Sequence, residues 1–488
     1  MNSASLAYKN KTKTGGLLKW GRALLTSGDA AQSESGNAAG APQLNAVRPI
    51  QKQPLRILIL FGKDWDHEAL QRFGADSDQP YLFYFEGFEL FSFPSNTRLL
   101  TFDIWRFVDR MKQRYAGKID GVVSNNEQFG SLCASLLAEQ LGLPGLSALC
   151  TLTCQHKYLA RQQIASVLPD AVPQFAIFPY TLRPADPLPL PLPFFVKPVK
   201  ATFSVLARPI DNAAALHQLL EFAPWETFLI KRLVRPFNQA MERLQPNVKA
   251  DAHHMIAESA LVGAQLNIDG YVRDGRVTLF GIVDEIMYPG THAFLRFAYP
   301  SRWQKLLAHR VQQLTEQVLS QLGYQHGCFN LELFYDAASD SLKLIEVNPR
   351  MSTQTADFYR LVDGVDAYAI NFALATQQPI PPASTTAPVF GVAASFVFRK
   401  FDGTTCDLPP TAEQRAWLAQ TYPDARLMWY AKTGRGLRRE YKWLGSHRYA
   451  ILNMAGIDSA DLQRRLDHVC AYLGWQSDQA LVHYPEAA

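Results

Sequence analysis

The chain has 488 residues, 48% hydrophobic and 19% charged, with a formal net charge of +4. That length exceeds one hydrophobic core and predicts about three domains. The composition is that of a soluble globular protein, and no apolar run approaches the ~18 residues that a membrane span requires. So small a net charge over such a length argues against a nucleic-acid binder. Six cysteines, at 133, 150, 154, 328, 406 and 470, show neither CxxC spacing nor disulfide density, which predicts reduced thiols and a cytoplasmic setting. Cys150 and Cys154 are four apart, but with no second ligand cluster nearby they read as buried thiols.

Residues 1–53 are rich in Ser, Ala, Gly, Asn and Gln and too poor in apolar side chains to repay the entropy of ordering, so a disordered tail is expected there. Lys9, Lys11, Lys13, Lys19 and Arg22 with no acid in the first 28 residues give a weak likeness to an organellar transit peptide. A dispensable tail is the better reading.

Order is expected from LRILILFG at 55–62, a continuous apolar run of the kind that forms a central parallel strand. A helix-period segment at 103–114, a strand within IDGVVSN at 119–125 and a helix at 129–141 complete a Rossmann-like α/β domain over residues 54–150. LGLPG at 141–145 closes it. The proline-dense stretch 179–193 suits neither helix nor central strand and reads as an extended surface connector. It leads into FFVKPVKATFSVLA at 194–207, where a strand carries Lys197 at its end and residues 201–204 form a small-residue loop.

The segment 328–352, CFNLELFYDAASDSLKLIEVNPRMS, carries the most chemistry. Two strands, Phe329–Tyr335 and Leu342–Asn348, flank the polar turn Asp336–Ser341. A hairpin centred near Ser339 puts Glu332 directly opposite Glu346, and Asn348 shares the face of Glu346. Like charges in that position destabilise a strand pair unless something neutralises them. Two carboxylates and an amide oxygen make a hard oxygen site suited to Mg²⁺ (or Mn²⁺), and Arg350 sets a fixed cation just beyond it. Neither a GxxxxGK[ST] loop nor a Gly-rich dinucleotide fingerprint occurs elsewhere.

These residues resemble the metal-binding end of the ATP-grasp superfamily, which includes biotin carboxylase and carboxylate–amine ligases. The resemblance covers residues from about 120 to 376 and implies an α/β architecture: a Rossmann-like pre-ATP-grasp domain, an ATP-grasp fold of two α+β subdomains over 151–380, and a small C-terminal α+β module over 389–488. It implies that Glu332, Glu346 and Asn348 hold Mg²⁺ against ATP and that Arg350 contacts the acyl phosphate or the substrate carboxylate. Lys157, in QHKYLARQQIA at 155–165, and Lys197 would neutralise phosphates. The loop after Lys197 is usually Gly-rich; here no glycine precedes Leu206, and Ser204 and Lys200 stand in for it. Residues 255–277 resemble the hinge, so that Glu258 and the backbone at Ala260 and Leu261 would contact adenine, with Gln265 where a ribose-binding Glu is common. Arg296 matches a basic position near the transferred phosphate.

The implied activity is an ATP-dependent carboxylate–amine ligase that forms an amide through an acyl phosphate, taking small-molecule carboxylate and amine substrates, with a homodimer as a possible assembly and no membrane or nucleic-acid partner. Two alternatives stay open: a bicarbonate-phosphorylating carboxylase, and a non-catalytic ATP-binding scaffold. The basic stretch KTGRGLRREYKW at 432–443 reads as a solvated face or an arm toward an acidic substrate.

Overall fold

The computed structural model describes residues 53–73, 79–89, 95–201, 206–384, 389–406, 408–430 and 432–475. The expected N-terminal tail lies outside them. The apolar run forms β1 (Leu55–Leu60), with β2 (Tyr81–Glu86) on one side and β3 (Gly121–Val123) on the other, both parallel to it. This burial on both faces explains a run without alternation. The helix before β3 is Ile104–Tyr115. Asp103 caps it by accepting from Arg106 N at 2.9 Å, and Phe107, Val108, Met111 and Tyr115 pack its inner face into the core.

Two further sheets carry the rest of the chain. The smaller is antiparallel, in the order β4 (Phe175–Pro179), β7 (His254–Ser259), β5 (Phe194–Pro198), β6 (Arg208–Ile210). Between β6 and β7 runs the helix Pro224–Leu244, whose buried Val234, Phe237, Ala240 and Met241 pack against the core beneath β1. The sequence reading missed this helix and β2.

The larger sheet contains β8 (Ala264–Arg273), β9 (Arg276–Met287), β10 (Phe294–Tyr299), β11 (Gly327–Asp336) and β12 (Ser341–Asn348). It continues into β13 (Val392–Lys400), β14 (Arg426–Trp429) and β15 (His447–Gly456), in the order β12-β11-β8-β9-β10-β13-β15-β14. The chain after residue 389 thus adds its strands to the sheet of the metal hairpin, with β10 paired antiparallel to β13. The helix Ser459–Leu473 covers that end through Leu462, Leu466, Val469 and Leu473. Among the described residues no helix is long and apolar enough to cross a membrane. All six cysteines are free thiols, with Cys150 and Cys154 both buried.

The chain crosses from the smaller to the larger sheet between Ser259 and Ala264. Gly263 makes that crossing at φ +107°, and a Cβ there would sit 2.2 Å from the Tyr335 carbonyl oxygen, a backbone atom that cannot move aside cheaply. Gly263→Ala is therefore expected to lower the free energy of unfolding by about 1–3 kcal/mol, read as a reduced midpoint in denaturant titrations.

Candidate functional site

The site is built on one face of β8, β11 and β12. Strand register aligns Asn267, Glu332 and Glu346 in one row and Asp269, Asn330 and Asn348 in the next. Glu332 and Glu346 face each other, but the turn is centred between Ala338 and Ser339, and a register shift beside the pair is what brings Glu346 opposite Glu332. Beyond that pair Leu333 meets Leu344, so Ile345 is an extra, bulged residue. Its carbonyl is used elsewhere: it accepts from the Arg161 guanidinium and, at 3.4 Å, from Lys197 Nζ.

Cations reach this face from two other elements. The helix Lys157–Ala165 begins at His156, whose Nδ1 accepts from Leu159 N, and the helix turn brings Lys157 and Arg161 to the same side. Lys157 Nζ lies 2.9 Å from Glu346 Oε2. Arg161 Nε and Lys197 Nζ, the latter from β5, each lie 2.7 Å from the buried Glu258 carboxylate. Burial opposes ionisation of Glu346, but Lys157 and Lys197 outweigh it and hold its carboxyl down at about 2. Glu332 has no such partner: it accepts from Gln265 Nε2 at 3.5 Å, and from Asn348 Nδ2 at 3.5 Å only when that amide is turned toward the carboxylates. Burial, and then repulsion from Glu285, Glu346 and Glu127, push its carboxyl well above the usual range. Burial also raises Glu285 to about 7.

Glu127, which the sequence reading missed, closes the site from the loop at the carboxyl end of β3. Its Oε2 takes Arg350 Nη2 at 2.7 Å, and its backbone carbonyl takes Lys200 Nζ at 2.9 Å. Burial holds the Lys200 ammonium down at about 7. With the Asn348 amide oriented to donate to Glu127, at 3.0 and 3.1 Å from its two oxygens, the amide oxygen turns toward the carboxylate pair. Glu332, Glu346 and Asn348 then present three oxygens with surplus negative charge, a donor set that fits a hard divalent cation. Among the described residues no group of three or more His, Cys, Asp or Glu side chains gathers to hold a metal unaided, so this set would rely on its amide and on ligand oxygens.

Several expected residues lie elsewhere. Glu258 is not open to a base, because its carboxylate is taken by Arg161 and Lys197; its place is that of a buried anchor for two cations. Gln265 sits beside Glu332. Arg296 is not brought to the group. It alternates on β10 with Phe297, which pairs with Glu285 of the polar face, so Arg296 lies on the opposite face, where it acts on Asp284. Ala260 and Leu261 lie in the connection between β7 and β8, outside both ladders. Ser204 falls outside the described residues.

The family described as the ATP-grasp domain matches residues 190–357. An L-amino acid ligase from Bacillus licheniformis has a similar structure at a TM-score of 0.61 and 15% identity, covering 86% of this chain and 98% of its own. A carboxyaminoimidazole ribonucleotide synthase from Aspergillus clavatus, complexed with ATP, is similar at 0.58 and 12% identity over 86% and 98% of the two chains. Biotin carboxylase from Campylobacter jejuni is similar at 0.54 and 11% identity over 85% and 91%. No curated protein sequence matches the chain. Residues 190–357 thus match the ATP-grasp domain family, and the chain shares the fold of these three enzymes.

The titration of Glu332 gives a stability test. Its folded carboxyl is raised, so the stability it contributes is present below the ordinary Glu range, near 4.3, and lost as pH rises through the raised value. Glu332→Gln should therefore raise the melting temperature of the ligand-free protein at pH 8, with the gain shrinking toward pH 4. Thermal melts of both proteins at the two pH values measure it; a variant less stable at pH 8 would contradict the charge balance.

Proposed function

We propose that the protein is an ATP-dependent carboxylate–amine ligase, and that residues 151–380 hold the nucleotide between the two sheets. The observation that carries this reading is the facing pair Glu332 and Glu346 with Asn348 beside it, flanked by Lys157 and Lys197 and ending at Arg350. Likeness to a structure named as an L-amino acid ligase supports it. Lys157, Lys197 and Lys200 would lie along the ATP phosphates, and the backbone at Ala260 and Leu261 would meet the base. A divalent cation held by Glu332, Glu346 and Asn348 would neutralise charge on the phosphate oxygens.

In this reading a carboxylate oxygen of the acid substrate attacks the γ-phosphorus of ATP, the bond to the bridging oxygen breaks, and ADP departs. Positioning and charge stabilisation supply most of the catalysis. Arg350, already oriented by Glu127, holds the acid and then the oxyanion that forms when an amine attacks the acyl carbon. Loss of phosphate and of the amine proton leaves the amide.

Several results test the proposal. Hydroxylamine in place of the amine should trap the acyl phosphate as a hydroxamate, while ¹⁸O in the acid should appear in the released phosphate. Formation of AMP and pyrophosphate would exclude the mechanism. Mg²⁺ with ATP should raise the melting temperature, and Glu346→Gln should remove most of that shift. Arg350→Ala should lower kcat by about 10²–10³-fold while leaving nucleotide affinity close to that of the wild type, which separates a role in the acid step from one in ATP binding.

A further inference from the structure

A cavity of about 510 Å³ opens beside the first sheet, at the carboxyl end of β2. It is bounded by Glu86, Gly87 and Phe88, by the turn Ser95–Leu100 with the two residues after it, and by the helix Ile104–Tyr115. None of these segments supplies a residue to the candidate site. The volume falls within the range of small-molecule pockets.

Four guanidiniums line it: Arg98 from the turn, and Arg106, Arg110 and Arg114 from the helix. A four-residue spacing sets the last three in one row, and like charges so placed destabilise a helix. Two carboxylates line it as well, and both are engaged. Glu86 is taken by Arg114 Nη1 at 2.7 Å and by the Tyr115 hydroxyl at 2.8 Å, while Asp103 accepts from Arg106 N at 2.9 Å and from Gln239 Nε2 at 2.7 Å. Asp109, the one acid within the helix, lines no part of the cavity. Arg98, Arg106 and Arg110 enter no ion pair among the described residues. Four cations less two carboxylates leave a surplus of two positive charges.

The floor beneath these charges is aromatic and fixed. The Phe102 ring meets Phe88 at 5.6 Å and Phe61 at 5.9 Å, both edge-on, and stacks on Phe129 at 5.6 Å. Phe61, Phe102 and Phe129 are buried, so the floor stands before any ligand arrives. The Arg98 guanidinium lies 5.9 Å from the centre of the Phe88 ring and that of Arg110 lies 5.8 Å from the centre of Phe107, which sets both cations over the floor.

We propose that this cavity binds a phosphate monoester with a flat organic body, of the nucleoside monophosphate class. Such a phosphate carries about two negative charges, which matches the surplus. Its oxygens would take the forks of Arg98, Arg106 and Arg110, whose planar donors suit phosphate. A phosphate alone would leave most of the cavity unfilled, whereas a ring laid against Phe88 and Phe102 uses the remainder. The site is independent of the ligase reading, since it shares no residue with the hairpin or its cations.

The test is calorimetric titration of the full chain, with the candidate site first saturated with Mg²⁺ and a non-hydrolysable ATP analogue. The probes are AMP, GMP, CMP and UMP against their nucleosides and against inorganic phosphate. At least one monophosphate should bind one-to-one, about tenfold or more tightly than both its nucleoside and inorganic phosphate. Arg106→Gln and Arg110→Gln, at exposed positions outside the packed face of the helix, should each weaken that binding about tenfold. Arg276→Gln, an equal loss of charge at an exposed position of β9, should leave it unchanged. The proposal is overturned by no binding of any monophosphate, by a nucleoside or inorganic phosphate bound as tightly, or by an unchanged affinity in both cavity variants, which would place the ligand elsewhere. An equal loss in Arg276→Gln would overturn it too, because it would mark attraction to net charge rather than to a site.

Discussion

The facing of Glu332 and Glu346 is the constraint on which the rest of the site depends. Two carboxylates directly opposed in a sheet are unfavourable, and the fold answers them unequally. Glu346 is given Lys157 at 2.9 Å and a strongly depressed titration, whereas Glu332 is left with long amide contacts and a raised one. The asymmetry keeps the hairpin folded without cancelling its charge. A site neutralised completely by its own lysines would have little affinity left for a cation or for the phosphates such a cation brings.

The cations that oppose this charge are themselves anchored at a distance from it. Glu258 holds both Arg161 and Lys197, and the bulge at Ile345 offers its carbonyl to the same two side chains. A helix, a strand of the smaller sheet and the hairpin of the larger one are joined at this point. Placing two cations on one buried carboxylate is tolerable because each partner retains further acceptors, which limits the penalty of withdrawing three charges from water.

What the sequence disclosed follows from the range of the interactions. The hairpin was legible because a polar turn separates two runs rich in strand-forming residues. The bulge at Ile345 was not, since it answers to cations from other segments. Glu127 stands 223 positions from Arg350 and Arg161 stands 184 from Ile345; no local pattern announces either contact. An i, i+4 pair of basic residues at Lys157 and Arg161 was the one signal available. The register shift between Phe294 and Arg296, which bears on the face that Arg296 takes, is likewise invisible in a local pattern. The helix Pro224–Leu244 was hidden by Pro236 within it.

The continuity of the large sheet bears on how far the chain can be dissected. Strand β10 is hydrogen-bonded on one side to β9 and on the other to β13, so it is an interior strand, although in sheet order it is the last that the chain before residue 377 contributes. Cutting the chain between residues 376 and 389 would keep every residue assigned to the nucleotide and would still bare the ladder groups of β10 that now meet β13. An uncovered edge of that kind invites pairing with other chains. The C-terminal hundred residues therefore serve as the sheet's own termination, and the smallest self-sufficient unit extends well past the segment that carries the family's signature.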